Sequence, residues 1–209
     1  MKFRIIQVLL VLGVLASGCG EGYKYNRLVK KELARGVRYD SLFLGLYLGM
    51  PQRDFYLHCW QLNRKGLIKQ GSGNTTVYYK MSGFKDTVDV NFYPYFYHGK
   101  MWRVPVKLNY LAWAPWNKGL YSDTLEKELI NKFRKWYGEG FNEVLNADKQ
   151  IAYYKIDGNR LISIFKEGNT YVWIVYSDLM VLNELDKLKQ EKADSISAKS
   201  DLSAGRKDN

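Results

Sequence analysis

The apolar positions along the chain change period more than once. Between Pro51 and Gly66 they recur at helical spacing. At about 100° per residue Leu62, Phe55, Cys59, Tyr56 and Trp60 fill one continuous arc, and Asp54, His58 and Gln61 lie opposite. Pro51 suits the first helical position, where its missing N–H costs nothing, and Gly66 suits the left-handed stop. The preceding run LFLGLYLGM, Leu42 to Met50, predicts a strand leading into that helix. After Gly66 the pattern alternates. IKQGSGNTTVYYKM predicts a hairpin around Gly71 to Asn74, and residues 86–113 predict a second one turning at His98-Gly99-Lys100. Pro94 and Pro105 cannot donate to a ladder and mark edges or bulges.

A second helix is predicted from Asp123. Glu126 lies three residues on as a capping box, and Leu125, Leu129, Phe133 and Trp136 form one face. It ends at Gly138 or Gly140. Three strands follow, IAYYKID, NRLISIFK and TYVWIVYSD, joined by Asp157-Gly158-Asn159 and Glu167-Gly168-Asn169. The fold class is therefore α+β: an antiparallel sheet of hairpins with two principal helices. The order helix, strands, helix, strands also fits a duplicated helix-plus-hairpins unit, with halves 41–116 and 117–182. From Leu179 a short last helix fades into a polar tail, 183–209, expected to be disordered.

The ends of the chain bear on compartment. Lys2 and Arg4 precede a short apolar run from Ile5 to Ala16, too short to span a bilayer of roughly 20 helical residues. It reads as a signal peptide, residues 1–18. Leu15-Ala16-Ser17-Gly18-Cys19 resembles a bacterial lipobox. That resemblance implies cleavage before Cys19 and lipidation at Cys19, with acyl chains as the membrane anchor. The chain has two cysteines, so Cys59 is then left alone and no internal disulfide forms. Residues 19–40 carry Lys24, Arg27, Lys30, Lys31, Arg35 and Arg38. They predict a basic tether with a short helix ending at Gly36, placed to meet an anionic membrane.

Net charge is +11, or +9 once the two basic residues of the leader are removed. In an exported protein this points to anionic lipid, acidic polymers or an acidic partner, and not to nucleic acid. No acidic run follows Cys19, so the expected location is the outer membrane, facing the periplasm.

Candidate chemistry is sparse. His58 and Cys59 are adjacent, but consecutive helical residues point about 100° apart, and Cys59 falls in the apolar arc. It reads as a core thiol. Two histidines and one free cysteine at no zinc-like spacing give no metal site. Nucleophile-elbow, P-loop, dinucleotide-glycine and HExxH patterns are missing, and no cofactor is expected. Asp86 with Asp89 and Glu139 with Glu143 are at generic spacing. The expectation is a non-enzyme. A hydrolase, whose carboxylates meet only in the fold, is the least favoured alternative.

Tyrosine is abundant, densest in NFYPYFYHGKMW. As an alternating strand, this puts Tyr93, Tyr95 and Tyr97 on one face, either packed or exposed as a platform for a protein or glycan. Trp102, Trp113 and Trp116 would extend it. Asp-Ser/Thr-apolar recurs at Asp40-Ser41-Leu42, Asp86-Thr87-Val88, Asp123-Thr124-Leu125 and Asp194-Ser195-Ile196. The pattern resembles the acceptor motif of an O-glycosylation system of some anaerobic Gram-negative bacteria, and Ser195 is the candidate acceptor.

Gly49, Met50, Asp54 and Phe55 resemble the start of the first helix in small envelope lipoproteins of the SmpA/OmlA (BamE-like) type. They are also similar to β-lactamase-inhibitor-like proteins, which duplicate a helix-plus-hairpins unit. Pro51 stands where Ser or Thr is usual. WAPWNKGL, DGNRLISI and YSDL are similar to uncharacterised lipoproteins of gut-type anaerobes. These resemblances imply location and architecture and carry no activity. Two functions follow as expectations: a binding or scaffolding module for an envelope protein, or a glycan- or peptidoglycan-binding module using Tyr and Trp.

Overall fold

The structure is a computed structural model and describes residues 21–71, 75–145 and 150–204. The leader and Cys19 lie outside them. The class is α+β. Four helices are described: α1 (Glu21–Ala34), α2 (Gln52–Arg64), α3 (Ser122–Tyr137) and α4 (Leu179–Ala204). The strands are β1 (Lys69–Gln70), β2 (Val77–Met81), β3 (Val88–Phe92), β4 (Tyr95–Tyr97), β5 (Lys100–Tyr110), β6 (Asn142–Leu145), β7 (Ile151–Asp157), β8 (Arg160–Glu167) and β9 (Tyr171–Asp178). They form one antiparallel sheet in the order β1-β2-β3-β5-β9-β8-β7-β6, with β4 also on β5.

Residues 41–116 thus hold α2 and a meander ending in β5. Residues 117–182 hold α3, a meander ending in β9 and the start of α4. The two last strands pair at the centre of the sheet, from Arg103↔Ser177 to Leu108↔Val172.

Alternation in the strands decides the two faces. Val104, Val106, Leu108 and Tyr110 of β5, Val172, Ile174 and Tyr176 of β9, and Val88, Val90 and Phe92 of β3 share a core with Leu125, Leu129 and Phe133 of α3. On the other face Ile156 and Leu161 pack with Val29 of α1 and with Leu179 and Leu182 of α4. Burying a side chain of this size contributes roughly 1.5–3 kcal/mol each, which is how the described residues, whose one cysteine Cys59 is a free thiol, hold together.

Turn chemistry fixes register. His98 (φ 47) and Gly99 (φ 71) are the two loop residues between Tyr97 and Lys100, both left-handed as a type I′ hairpin needs. Pro94 and Pro105 lie at one break in the ladder: β3 pairs with β5 down to Val106, β4 pairs from Arg103, and Pro105 sits between. Pro105 is therefore in a central strand, tolerated at an irregularity.

Several expectations are corrected. Leu42–Met50 forms no strand. Leu44, Gly45 and Gly49 have φ of 51, 76 and 84, and the segment closes on itself through Leu42 N–H to the Leu46 carbonyl and Leu46 N–H to the Phe43 carbonyl. Asp123 and Glu126 form no capping box, because the N-cap of α3 is Tyr121, two residues before Asp123. Both acids turn toward Lys166 of β8. Residues 19–40 are not simply a tether: α1 docks on the sheet and buries Val29 and Glu32. The tail expected to be disordered at 183–209 continues α4 to Ala204, as its Leu, Glu, Lys, Gln and Ala residues favour helix. Its start touches the body, and Asp186 to Leu188 and onward to Ile196 are exposed. Strand β6, with no alternating signal, was not expected.

The β7–β8 turn is a fixed point. The buried Asn159 accepts the Tyr39 N–H at 2.7 Å and donates to Asp40 at 3.0 Å and Asp178 at 3.3 Å. Its carbonyl accepts the Leu179 N–H at 2.7 Å. Gly158 N–H donates to Glu32 of α1 at 3.1 Å. A Cβ on Gly158, whose φ is 53, would stand 2.1 Å from the Val37 carbonyl oxygen. Gly158→Ala should therefore lower the unfolding free energy by about 2 kcal/mol or more, from overlap and left-handed strain. Urea denaturation followed by circular dichroism checks this; an unchanged midpoint would mean the turn is not packed as described.

Candidate functional site

The adjacent cysteine and histidine part company. His58 Nε2 donates to the Leu44 carbonyl at 2.6 Å, which fixes the ring against the glycine turn rather than toward a thiol. Cys59 is half-buried against the main core, and burial pushes its thiol up to about 11. A nucleophilic thiol needs the opposite shift and a neighbouring base. Among the described residues no group of three or more His, Cys, Asp or Glu side chains comes together as a metal site.

The tyrosine row is split. Pro94 breaks the strand, so Tyr93 lies before β4 and belongs to α2: its hydroxyl meets that of Tyr56 at 2.8 Å, and its ring is edge-on to Phe55. Tyr95 and Tyr97 share one face of β4. Tyr95 pairs in register with Arg103, and the Tyr97 hydroxyl donates to Glu184 of α4 at 2.8 Å. The tryptophans do not extend a platform. Trp102 packs into the smaller core under α4. Trp113 donates its indole N–H to the Asn169 carbonyl at the β8–β9 turn. Trp116, in the loop before α3, is 85% exposed.

Two aromatic surfaces stand in their place. The first is the outer side of α2. Tyr56 and Trp60, expected in the buried arc, are 47% and 56% exposed, with Leu57 and Tyr93 beside them. Only Phe55 and Leu62 of α2 are buried, because the helix touches the body at its start and along one narrow stripe. The exposed rings are held in place: Gln52 donates to Tyr56, Tyr56 meets Tyr93, and the Arg64 guanidinium lies 4.8 Å over the Trp60 ring.

The second surface is a cleft of about 650 Å³ between the Tyr39–Phe43 segment and the end of α3. Its walls include Tyr39, Phe43, Trp136 and Tyr137, with Asp157 and Arg160 at the base. Arg160 is buried. Its guanidinium donates to the Ser41 carbonyl at 2.7 Å and to Asp157 at 3.0 Å, and lies 4.7 Å over Tyr137. Trp136, expected on the packed face of α3, is instead at the exposed rim. No sequence pattern joins these residues, since Tyr39–Phe43, Trp136–Tyr137 and Asp157–Arg160 come from three separate segments of the chain.

One carboxyl is unusual. Glu126 is 6% exposed, and its Oε1 has no hydrogen-bond partner among the described residues. Burial pushes its carboxyl up to about 7, against the pull of Lys166 at 3.9 Å. Ser195 is exposed as expected, but on helix α4, where its hydroxyl donates to the Lys192 carbonyl.

Two outcomes follow from these environments. Cys59→Ala should cost roughly 1–2 kcal/mol as a small truncation against the core, read from the denaturant midpoint; a much larger loss would contradict its half-burial. Glu126 holds its proton to higher pH when folded than when unfolded. Its contribution to stability is therefore present below about 4.5 and lost as pH rises through about 7. Thermal unfolding from pH 4 to 9 should show Glu126→Gln gaining on the parent across that window, with the gap widest above pH 7. Parallel curves would overturn the burial argument.

The chain matches no protein-family profile, no curated protein and no solved structure.

Proposed function

We propose that the chain is a lipid-anchored protein of the cell envelope that acts as a non-enzymatic binding or scaffolding module, and that it receives a partner protein on the outer side of α2. One observation carries the reading: Tyr56, Leu57 and Trp60 are exposed on one helix beside Tyr93. A monomer leaves single apolar residues in water, but contiguous aromatic groups rimmed by polar side chains are what partners bury. The hydrogen bonds through Gln52, Tyr56 and Tyr93 hold two of the rings before binding, which reduces the ordering cost of association.

The anchor rests on Cys19 in its lipobox-like setting. Only Gly20 separates it from Glu21, where α1 begins, so the body starts within about 7 Å of chain from the acylated residue. The kinship with SmpA/OmlA-type lipoproteins is part of this proposal. Its motif residues have clear work here: Gly49 supplies a left-handed turn, and Met50 and Phe55 are buried where α2 begins.

The aromatic cleft favours a second reading. Trp136, Tyr137 and Tyr39 line it together with Asp157 and Arg160, a mix of aromatic and polar groups suited to a sugar of the envelope. The two readings separate experimentally. Cross-linked cells carrying the tagged chain should yield a reproducible partner protein that Trp60→Ala and Tyr56→Ala reduce at least about tenfold, as loss of an aromatic hot spot does. Both side chains are about half exposed, so the unfolding midpoint should move only slightly while partner recovery falls. Murein or glycan fragments that are retained by the parent and lost in Trp136→Ala would replace the first reading with the second.

A further inference from the structure

The basic residues of α1 are not spread evenly around it. At about 100° per residue Lys24, Arg27 and Lys31 fall within about 60° of one another. They line a cleft of about 420 Å³ between α1 and strands β6 and β7, together with Tyr25, Asn142, Glu143 and Tyr154. The three cations are exposed, and none makes an ion pair within the described residues. Among the described residues Glu143 is the one acid in the lining, so those side chains carry a net excess of two positive charges.

Their direction is fixed, not free to rotate. Val29 is buried in the smaller core, and Glu32 is buried where it accepts the Gly158 N–H and pairs with Arg35. The Tyr25 ring is edge-on to Tyr154 at 5.4 Å, which closes one end of the cleft with aromatic groups. Burial pushes the Tyr25 phenol up to about 12, so it stays a neutral donor. Like charges left unpaired side by side repel one another, and an anion between them removes that repulsion.

We propose that this cleft binds the phosphate of an anionic lipid headgroup, and that the contact sets the orientation of the body on its membrane. The ligand chemistry is a phosphate ester held by two or three cations. The source is assigned to lipid because Lys24 is five residues after Cys19, an assignment that rests on the anchor proposed above. Anchor and cleft then fix two points, and α2 with its aromatic side is presented in a constant direction.

The test uses the full chain carrying Cys19→Ala, so that no acyl group confounds it. Co-sedimentation with phosphatidylglycerol vesicles is compared with phosphatidylcholine vesicles, which report what the apolar leader contributes. Replacing Lys24, Arg27 and Lys31 together by Ala should weaken binding to phosphatidylglycerol on the order of 100-fold at low salt, and the parent's binding should fall as salt rises. A control of equal charge change, Lys127, Lys135 and Lys187 to Ala, should bind nearly as the parent does. Equal losses in both triple variants would overturn the site, since net charge alone would then explain the binding. Saturable binding of inorganic phosphate that the cleft variant loses, with no preference for phosphatidylglycerol, would overturn the lipid assignment. The mass of the native Cys19 peptide tests the anchor separately, so failure of one proposal is distinguishable from failure of the other.

Discussion

The pairing of β5 with β9 holds the molecule together. Each strand is the last of its own meander, and each already has a neighbour on its other side. Joining them turns a five-strand and a four-strand ribbon into one sheet wide enough to carry a helix. Val104, Val106 and Leu108 then stand beside Val172, Ile174 and Tyr176, and α3 has a surface on which Leu125, Leu129 and Phe133 are excluded from water. Apart, each ribbon would expose an unpaired edge and half a core. The partners lie 64 to 74 positions apart, so loop-closure entropy is spent before this contact rewards it.

The second fixed element is polar. The Gly158–Asn159 turn docks the segment after α1, the end of β9 and the start of α4 in one place. Asn159 has its side-chain amide and its carbonyl engaged there, which is why it can be buried. Arg38 adds an ion pair to Asp178 at 2.9 Å across the same junction. The charges there are matched and hydrogen-bonded, so the cluster rigidifies rather than reacts. It also forms one border of the aromatic cleft, since Asp157 and Arg160 flank the turn.

This division of labour explains where binding chemistry is found. The two cores use the apolar side of each element and leave α2 and α1 only partly covered. What α2 leaves exposed is aromatic, and what α1 leaves exposed is basic. The proposed N-terminal anchor would give both a use: one surface to settle against the lipid and another to meet a partner. Trp60 and Lys24 are therefore more informative than any residue of the sheet.

The sequence by itself determined the class, most strands, the hairpin turns at His98-Gly99 and Gly158-Asn159, and α2 and α3. Each of these follows from nearest-neighbour rules: period, turn φ and helix stops act over a few residues. It also marked Cys59 as a packed thiol. The tertiary structure decided the rest. It decided that Tyr93 leaves the row of Tyr95 and Tyr97, because Pro94 breaks the strand and α2 offers the Tyr56 hydroxyl. It decided that Trp60 and Trp136 face water, because each helix meets the body along a narrower stripe than its apolar arc. It decided that Glu126 turns from a cap toward Lys166, and that Tyr39, Trp136 and Arg160 line one cleft. A periodic pattern states which face of an element can be buried. How much of that face is covered depends on the partner the fold brings to it, and that information lies elsewhere in the chain.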